Sequence, residues 1–76
     1  MESLIDVIAD VLEIPAGDLV EDTGPKTLSE WTSLKHIQLV IALEENYEVS
    51  FSSREIRALL SVAEVRRTLL EKGAAV

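Results

Sequence analysis

An all-α domain of four helices is the fold class this sequence predicts, and three observations carry it. Apolar residues recur at three- and four-residue spacing in separate stretches of the chain. Two Ser-x-x-Glu patterns, Ser52 to Glu55 and Ser61 to Glu64, mark further helix starts. Four of the five Gly and Pro residues fall between positions 15 and 25, which confines the strong breakers to one connection and to Gly73. The 76 residues show no internal repeat and are expected to form one domain, 1–76. A chain of that length buries only roughly 60% of the surface its unfolded form exposes. With no cysteine and a single histidine, its stability has to come from the 47% of residues that are hydrophobic.

The first helix is expected from Leu4 to about Ile14. Leu4, Ile5, Ile8, Val11 and Leu12 share one face, and Glu2, Asp6, Asp10 and Glu13 the other. Pro15 stops it. From there to Thr32 the chain reads as a long loop with a short turn over Ala16 to Val20. Leu19, Val20, Leu28 and Trp31 should anchor it to the core, because a connection this long in so small a domain is either functional or disordered. The second helix runs from Leu34 to Tyr47, with Thr32 or Ser33 as its cap. Its apolar residues exceed one face: Leu39, Leu43 and Tyr47 form a core stripe, and Leu34, Ile37 and Ile41 a second stripe turned away from it. A short third helix is expected over about Ser53 to Leu59. A fourth follows over Val62 to Lys72, presenting Val62, Val65, Leu69 and Leu70 and ended by Gly73, with a frayed tail over 73–76. Ile8, Leu12, Val65 and Leu69 join Leu39, Leu43 and Tyr47 in the expected core.

Fourteen acidic residues against seven basic ones give a net charge of −7. That charge disfavours nucleic acid and anionic lipid and favours basic protein surfaces. It is uneven: residues 1–32 hold eight acids and Lys26 alone, whereas residues 53–72 hold three acids and five bases. No apolar run approaches the roughly 18 residues of a membrane span, and no basic segment precedes the first helix. A cytoplasmic, monomeric protein without membrane insertion is the expectation, and the Met start and short tail favour a free-standing one. Arg54, Arg57, Arg66 and Arg67 alternate with acids and read as a solvated face.

Ser33 lies where the long loop meets an apolar helix, beside free backbone amides and the positive end of a helix dipole, so a phosphate attached there would be well placed. A helix cap explains the same serine from local sequence alone. The wider pattern distinguishes the two. Trp31-Thr32-Ser33-Leu34, followed by Ile37 through Tyr47 with Leu43-Glu44-Glu45-Asn46-Tyr47 at its end, resembles the acyl carrier protein family. Its signature is Asp-Ser-Leu leading into a helix that closes on Leu-Glu-x-x-Phe or Tyr. The likeness covers nearly the whole chain, including Asp22-Thr23 in the loop, Glu48 to Phe51 before the third helix and Ser61-Val62 at the fourth.

The resemblance implies an acyl-carrier-like four-helix bundle with a long first loop and a short third helix. It also implies 4'-phosphopantetheine on Ser33, placed by a separate phosphopantetheinyl transferase and carrying an acyl, aminoacyl or polyketide-type thioester. The protein would not be an enzyme; acyl-loading and acyl-processing enzymes would be its partners, meeting it at Leu34, Ile37, Gln38, Ile41, Glu44 and Glu45. Ile37 could equally be buried under the loop or the third helix. The chain departs from the pattern at Thr32, where the family has Asp, and at Lys35, His36 and Gln38, where acids are frequent. These departures point to a specialised carrier rather than the central fatty-acid one, and Thr32 also fits an unmodified interaction module. A third reading pairs Ser33 with His36, three residues on, as nucleophile and base. No Gly-x-Ser-x-Gly elbow surrounds the serine and no orienting acid is assignable, so His36 is expected against the core or the arm. Trp31 is expected to anchor the loop.

Overall fold

The computed structural model describes residues 3–76. Four α-helices follow one another, α1 (Leu4–Leu12), α2 (Ser33–Tyr47), α3 (Ser53–Ala58) and α4 (Val62–Glu71), with a one-turn 3₁₀ helix at Ala16–Asp18. There is no strand among the described residues, and no helix is long and apolar enough to cross a membrane.

Each helix start has a physical cause in the sequence. Ser3 opens α1 with a reciprocal capping box: its Oγ accepts the Asp6 N–H at 3.2 Å while Asp6 Oδ2 accepts the Ser3 N–H at 3.4 Å. Ser52 and Glu55 do the same for α3, as the spacing predicts. The Ser61 box at α4 is only half made. Ser61 Oγ accepts the Glu64 N–H at 3.1 Å, but the Glu64 carboxylate turns outward to Arg67. The long loop adds caps of its own there, its Thr23 and Glu21 carbonyls accepting the Val62 and Ala63 amides, each at 2.9 Å. α1 and α2 both stop on a left-handed glutamate, Glu13 (φ 60°) and Glu48 (φ 54°), a conformation more often given to glycine. α1 therefore ends at Leu12, two residues short of the expected Ile14.

Ile8, Leu39, Leu43, Leu59, Val62, Val65 and Leu69 are fully enclosed. Burial on that scale contributes about 1.5–3 kcal/mol for each large side chain. Leu12 is also buried, whereas Tyr47 only flanks the core. Two expected apolar contacts are corrected: Val20 and Leu70 lie 62% and 54% exposed, Val20 because the loop turns there around Thr23 and Leu70 because it lies off the Val62–Val65–Leu69 face of α4. The tail is held at its start, where the Ala74 N–H reaches the Leu69 carbonyl at 3.0 Å, and Val76 packs against the core.

The long loop is stapled to the bundle at several points. Leu19 and Trp31 are buried, and Thr23 turns inward to accept the Val20 N–H on its hydroxyl at 3.0 Å. Gly24 passes so close to the chain that a Cβ there would lie 2.0 Å from the Leu60 carbonyl oxygen, which only glycine permits. Arg66 on α4 grips Glu21 with two parallel hydrogen bonds of 3.1 and 3.2 Å. The loop therefore delivers residues 31–33 to a fixed position at the head of α2.

Candidate functional site

Thr32, not Ser33, caps α2: its Oγ1 accepts the Lys35 N–H at 3.2 Å and its carbonyl the His36 N–H at 2.8 Å. Ser33 is the first helical residue and is exposed, and its hydroxyl makes no hydrogen bond among the described residues. The Ser33 and Leu34 amides are likewise without a partner among those residues, so the positive end of a fifteen-residue helix is open to solvent beside the serine.

Ser33 stands on the wall of an open groove of about 780 Å³, bounded by the end of the long loop, the first turns of α2, and α3 with the residues after it. Trp31, His36 and Ile37 line it from the α2 side, and Ile56, Arg57 and Leu60 from the α3 side. None of its ten lining residues is acidic, in a protein of net charge −7. Its ionisable side chains are His36 and Arg57.

His36 fastens the groove together. The Trp31 indole Nε1–H can only donate, and it meets His36 Nδ1 at 3.0 Å, so that nitrogen is the acceptor. Nε2 then carries the proton and donates it to the Ile56 carbonyl at 2.8 Å. The neutral ring thereby joins the loop, α2 and α3, with the tryptophan and histidine planes 31° apart at 6.2 Å. Both nitrogens are committed, and neither bonds Ser33. Trp31, 2% exposed, is a loop anchor that also forms part of the groove wall.

On α2, Leu34, Ile37 and Ile41 are 67%, 51% and 51% exposed. The second apolar stripe thus stands free, and Ile37 is not buried under the loop. Gln38 and Glu45 are exposed beside it. Glu44 differs: it is half-buried, and its Oε2 accepts the Phe51 N–H at 2.9 Å, tying the end of α2 to the α3 approach. Lys35, at the head of α2, pairs with Glu13 at the end of α1 at 3.3 Å.

Most remaining cations are spent on acids. Arg67 pairs with Glu64 and Glu71, and Lys72 pairs with Glu55 at 2.9 Å while lying over the Phe51 ring. The Glu55 carboxyl is held below its ordinary value chiefly by the Ser52 amide and then by Lys72. Glu64 is lowered by its hydrogen bond from Arg67. In return, the Arg66 and Arg67 guanidinium groups are held more firmly protonated, by Glu21 and Glu64 respectively.

The contribution of α3 to this site is what the sequence left unassigned. Ile56, Arg57 and Leu60 reach the serine only through tertiary packing, and no local spacing ties them to residue 33. The Trp31–His36 pair had a weak signal in its five-residue separation across a helix start. Compared with models of known protein families and with curated proteins, the chain matches none.

Proposed function

We propose that this protein is a carrier of the acyl carrier protein type, in which Ser33 holds 4'-phosphopantetheine through a phosphodiester. The observation that carries the reading is the state of Ser33. Capping is done by Thr32, so the role that would otherwise account for a serine at this position is already filled. The Ser33 hydroxyl is left exposed at a groove free of acids. The residues fit such a group: the open amides of Ser33 and Leu34 suit a phosphate, and the groove beside them has room for an extended chain. When bound, the arm supplies a thiol that the cysteine-free chain lacks, on which an acyl, aminoacyl or polyketide-type group is held as a thioester.

On this reading the protein performs no chemistry of its own. A phosphopantetheinyl transferase joins the Ser33 Oγ to the phosphorus of an arm supplied as a phosphoanhydride of a nucleotide: the anhydride P–O bond breaks, the nucleotide phosphate leaves with its electron pair, and the transferase takes the hydroxyl proton. Loading and processing enzymes of the cytoplasm then meet the exposed stripe of Leu34, Ile37 and Ile41, with Gln38 and Glu45 at its border. Glu44 contributes less to that surface, since one of its oxygens serves Phe51. The engagement of both His36 nitrogens argues against a serine–histidine hydrolase. Thr32 and Lys35, in place of the acids usual there, point to a specialised pathway.

Intact mass after co-expression with a phosphopantetheinyl transferase tests the proposal. One arm-sized gain, lost in Ser33→Ala, is the expected result. No gain with several different transferases would refute carriage and leave an unmodified interaction module as the reading.

A further inference from the structure

We infer that His36 is a positioning residue for the attachment reaction: its ring brackets Ser33 and fixes the serine hydroxyl at one place relative to α3. The inference rests on the reading of Ser33 as the attachment point and adds to it the side chain that sets how the serine is presented.

The first observation is where the two ring bonds go. Trp31 lies two residues before Ser33 and His36 three after it. The 3.0 Å bond from the indole N–H to Nδ1 therefore closes the chain around Thr32, Ser33, Leu34 and Lys35. The backbone closes the same segment a second time, with the His36 N–H on the Thr32 carbonyl at 2.8 Å. A serine hydroxyl with no hydrogen bond of its own among the described residues takes its position from the frame that carries it. The other ring nitrogen reaches α3, whose six residues fall well short of the roughly 12–15 that an isolated helix needs. The Ile56 carbonyl, in its last turn, accepts the Leu59 N–H at 3.4 Å and His36 Nε2–H at 2.8 Å, so the shorter of the two bonds comes from α2.

A rigid imidazole in this tautomer offers one acceptor and one donor on opposite edges of the ring, which is what the junction of loop, α2 and α3 requires. The consequence for the reaction is geometric. Ser33 Oγ attacks the phosphorus of the anhydride donor as the anhydride P–O bond breaks, the nucleotide phosphate leaves with its electron pair, and the transferase takes the hydroxyl proton. Displacement at phosphorus sets the attacking and leaving oxygens roughly in line, and a misplacement of about 1 Å can cost about a hundredfold in rate. A fixed serine therefore acts on turnover. Affinity for the partner is left to the exposed stripe of Leu34, Ile37 and Ile41.

Loading is followed with a transferase shown by intact mass to modify the wild type, and kcat and KM for the carrier are measured for His36→Ala, His36→Asn and His36→Gln. The asparagine side-chain oxygen takes the place of Nδ1 and can accept from Trp31; the glutamine amide takes that of Nε2 and can donate to the Ile56 carbonyl. In His36→Ala kcat should fall about ten- to a hundredfold, with KM within about twofold of wild type. His36→Asn should recover most of that loss and His36→Gln little, because the Trp31 bond is the one that brackets the serine. The Trp31 indole proton resonance should move in His36→Ala and His36→Gln and stay near its wild-type position in His36→Asn. Trp31→Phe, which removes the donor and leaves the ring on Ile56, should lower kcat as His36→Gln does, and it decides alone should His36→Ala not fold. The amide spectra of α1 and α4 verify the fold of each variant. A kcat within about twofold of wild type in folded variants, a loss confined to KM, or equal rates for His36→Asn and His36→Gln overturns the positioning role and leaves Ser33 attachment intact. Failure of the wild type to load with several different transferases overturns both.

Discussion

The starts of α2 and α4 present the same physical problem, and the molecule solves it in opposite ways. At α4 every amide of the first turn is taken: Val62 by the Thr23 carbonyl, Ala63 by Glu21, and Glu64 by the Ser61 hydroxyl. An acid, Glu64, also sits in that turn, matched to the positive end of the helix. At α2 only the third amide is capped, the first turn has no acid, and the serine at its first position faces solvent. One helix start is sealed by the loop to hold the fold together, and the other is left available by the same loop. Polar groups left open on a rigid frame are where binding chemistry is expected.

The sealed end should be the costlier to disturb. Gly24→Ala drives a methyl into the Leu60 carbonyl and pushes the loop from α4, and should destabilise the protein by about 2–3 kcal/mol. Urea unfolding measures it, and a loss under 0.5 kcal/mol would mean that the loop yields easily. At the open end, Thr32→Ala should cost about 1 kcal/mol by removing the cap. Ser33→Ala should stay within about 0.5 kcal/mol of wild type, because Ser33 caps nothing. Equal losses at 32 and 33 would erase the division of roles between them.

Acid gives the smallest effect and should also separate the ends. Glu64 and Glu55 titrate below the ordinary glutamate value of 4.5 in the folded protein. Their contribution to stability is therefore complete above that value and lost as pH falls through the depressed ones. Amide protection in the first turn of α4, taken relative to the intrinsic exchange rate at each pH, should fall over that interval, and Glu64→Gln should flatten the dependence. The first turn of α2, with no acid in it, should show no such step.

What was legible in the sequence follows the range of the physics involved. Helix positions, the Ser52 box, the core stripe of Leu39 and Leu43 and the free stripe of Leu34, Ile37 and Ile41 all depend on neighbours within a few residues, and each is found where the spacing puts it. The loop carbonyls that accept the Val62 and Ala63 amides were not readable, because they lie some forty residues earlier in the chain. Leu59 closes the core from a position just past the end of α3, where no periodicity pointed. Ser33 itself was legible as a candidate, but its release from capping depended on a choice between Thr32 and Ser33 that adjacent hydroxyls do not announce. The groove could not be read at all, since α3 reaches it only through packing.

Trp31 is the only tryptophan in the chain, and it stands in the groove wall with its N–H on His36. Tryptophan emission from this protein therefore reports on one place. A partner seated on the groove, a group attached at residue 33 or a displacement of α3 would each alter the polarity and quenching around a single indole. Native protein without any introduced label thus carries an optical gauge of the surface on which its proposed function turns.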